Sequence, residues 1–175
     1  MIEQHSYWRR DLASFARALE KRYRQKRWSK LTQYKIEKEV FLSFYIIRKL
    51  IENKRLKPSV VASRHTVTWY PIIIGATPST DPKTFVFTYL LYHGWLEEWA
   101  PGEICNQFIH SFIFSPFRIP RGDMLGIFFA SDRESKTGLY YIKLIPVIDI
   151  ILSAARNRPI RRTLVRNADG TFKVN

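Results

Sequence analysis

The 175-residue chain has few of the residues that most often mark a chemistry. It holds one cysteine, Cys105, so no internal disulfide forms and every zinc pattern built on several thiolates is excluded. Its seven glycines stand singly. No phosphate-loop pattern, dinucleotide fingerprint or serine-hydrolase elbow is present, which removes the usual nucleotide-hydrolysing and cofactor-using classes. Low-complexity tracts and fixed-period repeats are missing as well. The longest apolar stretch, Val40 to Ile47, is broken by Ser43 and falls far short of the ~20 residues of a membrane-spanning helix. Met1 to Arg10 lacks the apolar core of a secretory signal. The expectation is a cytoplasmic chain with no transmembrane segment, no cofactor and no metal.

Negative charge is scarce too: 15 Asp and Glu stand against 29 Lys and Arg, a net charge of +14. The excess is unevenly placed. Residues 1–57 carry +10 and residues 156–175 carry +5, while the stretch between them carries −1. A near-neutral middle flanked by basic ends sets up an asymmetric field that attracts polyanions.

What is abundant is core material. Apolar residues make up 46% of the chain, and 12 Phe, 9 Tyr and 5 Trp rule out global disorder. The length suits one domain over 1–175, with a basic helical part at 1–57 and an α+β part at 58–175. Trp8, Leu12, Phe15, Ala16, Leu19 and Tyr23 recur at helical spacing and predict an amphipathic helix from about Tyr7 to Arg27. Ser29 or Thr32 caps a second helix to about Lys54, with Ile36, Val40, Phe44, Ile47 and Ile51 as its stripe, and Pro58 closes the helical part.

Beyond it, Thr66 to Tyr70 and Ile72 to Ile74, interrupted by Pro71, predict an edge or bulged strand. Gly75 to Pro82 is a turn-rich loop, and Thr84 to Leu90 reads as a second strand with a short helix as competitor. A helix is expected from Glu103 to Phe114, stopped by Ser115-Pro116. Met124 to Ala130 and Leu139 to Leu144 form a hairpin around the polar loop Ser131 to Gly138. Pro146 suits the first turn of a helix to about Arg156. Thr163 to Arg166 and Thr171 to Val174, around the turn Asn167 to Gly170, close the chain as a last hairpin. The class is α+β: two N-terminal helices packed with a mainly antiparallel sheet, and further helices near 103–114 and 146–156.

Two basic clusters carry the functional reading. The first runs through Arg9, Arg10, Arg17, Lys21, Arg22, Arg24, Lys26, Arg27 and Lys30, with Tyr23 and Trp28 interleaved. Lys and Arg neutralise phosphates without reading sequence, and an aromatic face stacks on an unpaired base. A solvated helix face whose aromatics dock into the core explains the same residues. The second cluster, Arg156, Arg158, Arg161, Arg162 and Arg166, contains no lysine, and guanidinium forks suit phosphate contacts. A charged edge strand kept from aggregating is its plainer explanation.

A third constellation, Glu103, Asn106, Gln107, His110 and Ser111, falls on the expected 103–114 helix. Asn106 and His110 are four apart, so a His oriented by Asn could act in proton transfer. Asn106-Gln107-Phe108-Ile109-His110 resembles the second part of the Arg-polar-three-residues-His signature of HEPN-type ribonucleases. Cys105 stands where that family has arginine, and the family is all-helical, so the activity is not carried over. A buried polar pair tying the helix to its surroundings accounts for the same residues.

The leading expectation is therefore a basic nucleic-acid-binding protein, driven by phosphate contacts, with RNA favoured over DNA. The alternatives are a protein-interaction or regulatory subunit that docks its basic helix on an acidic protein or on another copy of itself, and a small metal-independent ribonuclease using His110 and Asn106.

Overall fold

In a computed structural model, residues 4–118, 125–157, 164–166 and 172–174 are described. Helix α1 spans Gln4–Tyr23 and turns Leu12, Ala16 and Leu19 fully inward, one face of a 3.6-residue period. It stops short of the expected Arg27. The Trp28 indole N–H donates to the Arg22 carbonyl at 3.1 Å, folding the following loop back on the end of the helix and engaging an end carbonyl. Helix α2, Lys30–Glu52, starts at Ser29. The Thr32 N–H donates to Ser29 Oγ at 3.2 Å and the Ser29 N–H to Thr32 Oγ1 at 3.4 Å, a reciprocal cap. Ile36, Val40, Phe44, Ile47 and Leu50 form its buried face.

Pro58 does not close the helical part. It opens a single turn, α3 (Pro58–Val61), where its missing N–H costs nothing. Strand β1, His65–Pro71, is an interior strand rather than an edge: it pairs with β2 (Trp95–Trp99) on one side and with β5 (Gly138–Lys143) on the other. Pro71 is tolerated because it is the last residue of the strand.

Thr84 to Leu90 is not a strand. A 3₁₀ turn at Pro82–Thr84 runs into the short helix α4, Phe85–Thr88. Phe85, Thr88 and Tyr89 turn inward while Val86 and Phe87 stay exposed, a spacing of three and four that helical pitch supplies, whereas alternation would bury Phe87 with Phe85 and Tyr89. Strand β2 carried no clear sequence signal, since Glu97-Glu98 break the alternation. It pairs only with β1, and Gly94 permits its approach: a Cβ there would lie 2.6 Å from Thr68 Cγ2 and 2.7 Å from a Tyr70 ring carbon.

Helix α5 covers only Pro101–Ile109, and His110 is its C-terminal cap. Ser111–Arg118 is strand β3, paired with β4 (Leu125–Ser131). The expected helix to Phe114 gives way because Ile113 pairs in the sheet and is fully buried while Phe112 points outward, a period of two. Strands β4 and β5 are the expected hairpin, and α6 (Leu144–Arg156) follows. The five strands run in the order β2-β1-β5-β4-β3, all antiparallel. The expected last hairpin forms separately as β6 (Leu164–Arg166) and β7 (Phe172–Val174).

Helices α1, α2, α5 and α6 contribute to a core on one face of the sheet with Val67, Ile127, Phe129, Tyr140 and Ile142. On the other face Phe85, Tyr89, Ile72 and Leu91 cover Ile113, Phe128, Ala130, Leu139 and Tyr141. The α+β class stands, with the second face capped by the short helix α4 and the chain on either side of it. Cys105 lies in the first core, where burial pushes its thiol up to about 12.

Phe44→Ala should lower stability by about 3–5 kcal/mol, since Phe44 is fully buried against Phe108, while the adjacent exposed Tyr45→Ala should stay within about 0.5 kcal/mol. Urea denaturation followed by circular dichroism checks the pair.

Candidate nucleic-acid interface

The basic residues divide by whether an acid already holds them. Arg22 is committed: its guanidinium meets Glu39 at 2.8 Å, donates to the Ala18 carbonyl at 2.9 Å, and is mostly buried. Burial pushes the Glu39 carboxyl above its ordinary value, and the charges of Arg22, Lys35 and Lys38 oppose the rise. Arg9 is half-buried and donates to the Arg55 carbonyl at 3.2 Å; burial, then repulsion from Arg55, lowers its pKa. Arg22 and Arg9 are thus ties within the fold. Trp28 and Tyr23 are half-buried against the helical core, which favours the docking explanation for both aromatics.

The remaining cations of the first cluster are exposed. Arg10 lies 5.0 Å over the Tyr7 ring. Among the described residues no ion pair engages Arg17, Lys21, Arg24, Lys26, Arg27 or Lys30. Arg17, Lys21 and Arg24 fall at spacings of four and three on the outer side of α1, and line one shallow concavity with Glu20. Lys21 also belongs to a neighbouring concavity with Lys35.

Packing of α1 on α6 brings part of the second cluster to the first. Arg156, the last residue of α6, shares a concavity of about 260 Å³ with Arg17. Arg158, Arg161 and Arg162 lie outside the described residues, and of Arg166 only its place in β6 is described.

A concavity of about 740 Å³ opens where the α1–α2 loop faces the sheet edge. Lys26, Arg27 and Lys30 line it from the loop and the start of α2; Lys83 lines it from the 3₁₀ turn, and Ser115, Pro116 and Phe117 from β3. Among the described lining residues Asp81 is the one carboxylate, and its Oδ1 accepts the Lys83 backbone N–H at 3.0 Å. Lys83 and Phe117 escaped sequence reasoning. Lys83 is a lone lysine in a turn-rich loop of the neutral middle, and Phe117 lies in a segment expected just past a helix end. No periodicity in the sequence could have joined them to residues 26–30.

The third constellation separates into structural roles. The Glu103 carboxylate accepts the Ala100 N–H at 2.6 Å and pairs with Arg64 at 3.1 Å. Gln107 Oε1 accepts from the Ser131 N–H at 3.4 Å, and Ser111 Oγ donates to the Phe108 carbonyl. Asn106 and His110 are both exposed, and Asn106 Oδ1, the atom that would orient a ring N–H, accepts from Arg48 Nη1. Among the described residues no group of three His, Cys, Asp or Glu converges as metal ligands, and no helix is long and apolar enough to cross a membrane.

A separate surface is apolar. At β2, the outer strand of the sheet among the described residues, Trp95 and Leu96 are exposed, Leu96 by 73%, as is Tyr92 just before it by 96%; Ile74 and Phe87 are exposed as well. No family model, curated protein or solved structure matches the chain.

His65 lies at the start of β1, 3.0 Å from Ser63 Oγ. Burial lowers its pKa below the ordinary 6.5, and the charges of Asp149 and Glu98 oppose the shift. The fold therefore favours the neutral ring. Stability from this group is present above about pH 6.5 and is lost as pH falls through the lowered folded value. His65→Gln should flatten the decline in urea midpoint between pH 7 and pH 5.

Proposed function

We propose that the protein binds nucleic acid, RNA in preference to DNA, chiefly through phosphate contacts made by Arg10, Arg17, Lys21, Arg24, Lys26, Arg27, Lys30 and Arg156. One observation carries the reading: cations that no ion pair engages among the described residues follow one another along the outer side of α1 around the single carboxylate Glu20, and Arg156 from the far end of the chain joins them at Arg17. Free cations release condensed counterions when they meet phosphates, whereas Arg22 and Arg64 would first have to leave a carboxylate. RNA is favoured because the aromatic lining beside Lys26 to Lys30 has use only for unpaired bases, which looped RNA offers. The cytoplasm is the compartment this reading assigns, on the strength of one reduced, buried cysteine. Cleavage by His110 has no comparable support, since Asn106 Oδ1 is held by Arg48.

Affinity for a structured RNA should fall steeply with salt. Arg17→Glu/Lys21→Glu/Arg24→Glu should weaken binding more than about tenfold and reduce the slope of log affinity against log salt by about 2. Lys136→Gln, which removes a cation already paired with Asp132, should leave both within about twofold. Fluorescence anisotropy across a salt series reads these values. Absence of binding at low salt, with protein freed of copurifying nucleic acid, would end the proposal.

A second reading, contact with a protein partner, is favoured by the exposed apolar residues at the β2 edge. If a second copy covers that edge, light scattering should show a mass that rises with concentration above 20.8 kDa, and Leu96→Lys should return it to the monomer value.

A further inference from the structure

We infer that the 740 Å³ groove between the α1–α2 loop, the Pro82–Thr84 turn and β3 receives an unpaired nucleotide of a single strand, its phosphates on Lys26, Arg27, Lys30 and Lys83 and its base against Phe117. The inference rests on the nucleic-acid reading and adds to it a site and a strand form. Three features of the groove select this ligand over a duplex.

The first is size. Clefts for small ligands occupy about 300–1,000 Å³, so the groove holds a nucleotide or two, while a duplex, with a major groove alone about 12 Å wide, can only lie across its mouth. The second is charge. Among the described lining residues four cations face one carboxylate, and that carboxylate already accepts the Lys83 backbone N–H. No ion pair among the described residues holds Lys26, Arg27, Lys30 or Lys83.

The third feature decides between strand forms. One wall is apolar: Pro116 is buried and Phe117 is half-buried, anchored edge-to-face on Phe128 at 5.6 Å. A duplex keeps the flat faces of its bases inside the stack and presents phosphates and groove edges, so an apolar wall gains nothing from it. A single strand offers both a phosphate and an open base face within one nucleotide. The groove brings cations and an aromatic side chain into one concavity.

The anchoring also explains why the site is built from distant segments. Phe117 is held by the sheet, Lys83 by the turn that Asp81 caps, and Lys30 by the start of α2 behind the Ser29 cap. Their geometry is set before a ligand arrives, which lowers the ordering cost of binding.

The test compares a fluorescein-labelled 12-nucleotide oligouridylate with a 12-base-pair RNA duplex by anisotropy at low salt. It uses wild-type chain, Lys83→Ala/Phe117→Leu and, keeping the apolar wall intact, Lys30→Ala/Lys83→Ala, each checked for its fold by circular dichroism. Both double variants should lose about tenfold in affinity for the oligouridylate; for the duplex Lys83→Ala/Phe117→Leu should stay within about twofold, and Lys30→Ala/Lys83→Ala should lose no more than about threefold, the share of Lys30 in the general basic surface. Equal losses on both probes would make the groove an ordinary part of the basic surface and overturn the inference. So would unchanged oligouridylate binding in Lys30→Ala/Lys83→Ala. If wild type binds neither probe, the nucleic-acid reading itself fails, an outcome distinct from groove variants that match a wild type which does bind.

Discussion

A run of aromatic contacts joins the helices to the sheet, and the placement of the groove residues depends on it. Phe44 of α2 meets Phe108 of α5 edge-to-face at 4.7 Å, and Phe108 meets Phe129 of β4 in the same way at 4.7 Å. Phe129 stacks on Tyr140 of β5 at 5.8 Å, and Tyr140 reaches Trp99 of β2 at 4.6 Å. Rings in such pairs add about 0.5–1.5 kcal/mol each beyond the area they bury. With α2 held down at Phe44, its N-terminal turn reaches the β3 side of the sheet. That brings Lys26, Arg27 and Lys30 to face Pro116, Phe117 and Lys83.

Charge is distributed to suit this frame. The segment that forms most of the sheet is near neutral, so strands pair without a net repulsive field, and the excess cations stay on helix exteriors and in loops. Where a basic residue is drawn inward, the fold supplies a partner: Glu39 for Arg22, the Arg55 carbonyl for Arg9. Among the described residues the cations that no ion pair engages include those on the outer side of α1, in the α1–α2 loop and at the end of α6, and also Lys35, Lys38, Lys83 and Lys143. This division, more than the total of +14, supports a polyanion as ligand.

Much of the fold was legible in the chain itself. The stripes of α1 and α2, the Ser29 cap, the β4–β5 hairpin and Pro146 near the start of α6 follow local rules, and each is in the structure. The errors share a cause. Phe112 to Phe114 and Thr84 to Leu90 are short apolar runs whose periodicity fits helix and strand alike. Tertiary pairing made the first a strand against β4, and packing over the sheet's second face made the second a helical turn. Strand β2 was hidden for a related reason: an edge strand with one partner needs no strict alternation, and Glu97 there accepts the Trp99 indole N–H while Glu98 accepts the Thr66 hydroxyl.

The sequence by itself determined that the chain has an apolar, aromatic core, that its charge lies at its ends, and that its class is α+β. Composition and local periodicity suffice for these, because they depend on neighbours within a turn or two. Only the tertiary structure decided which cations are free, that Arg156 joins Arg17, and that Lys83 and Phe117 complete a groove with the α1–α2 loop. Those are distances between residues tens of positions apart. They are set by how helices pack on a sheet, and no local pattern in the chain encodes them.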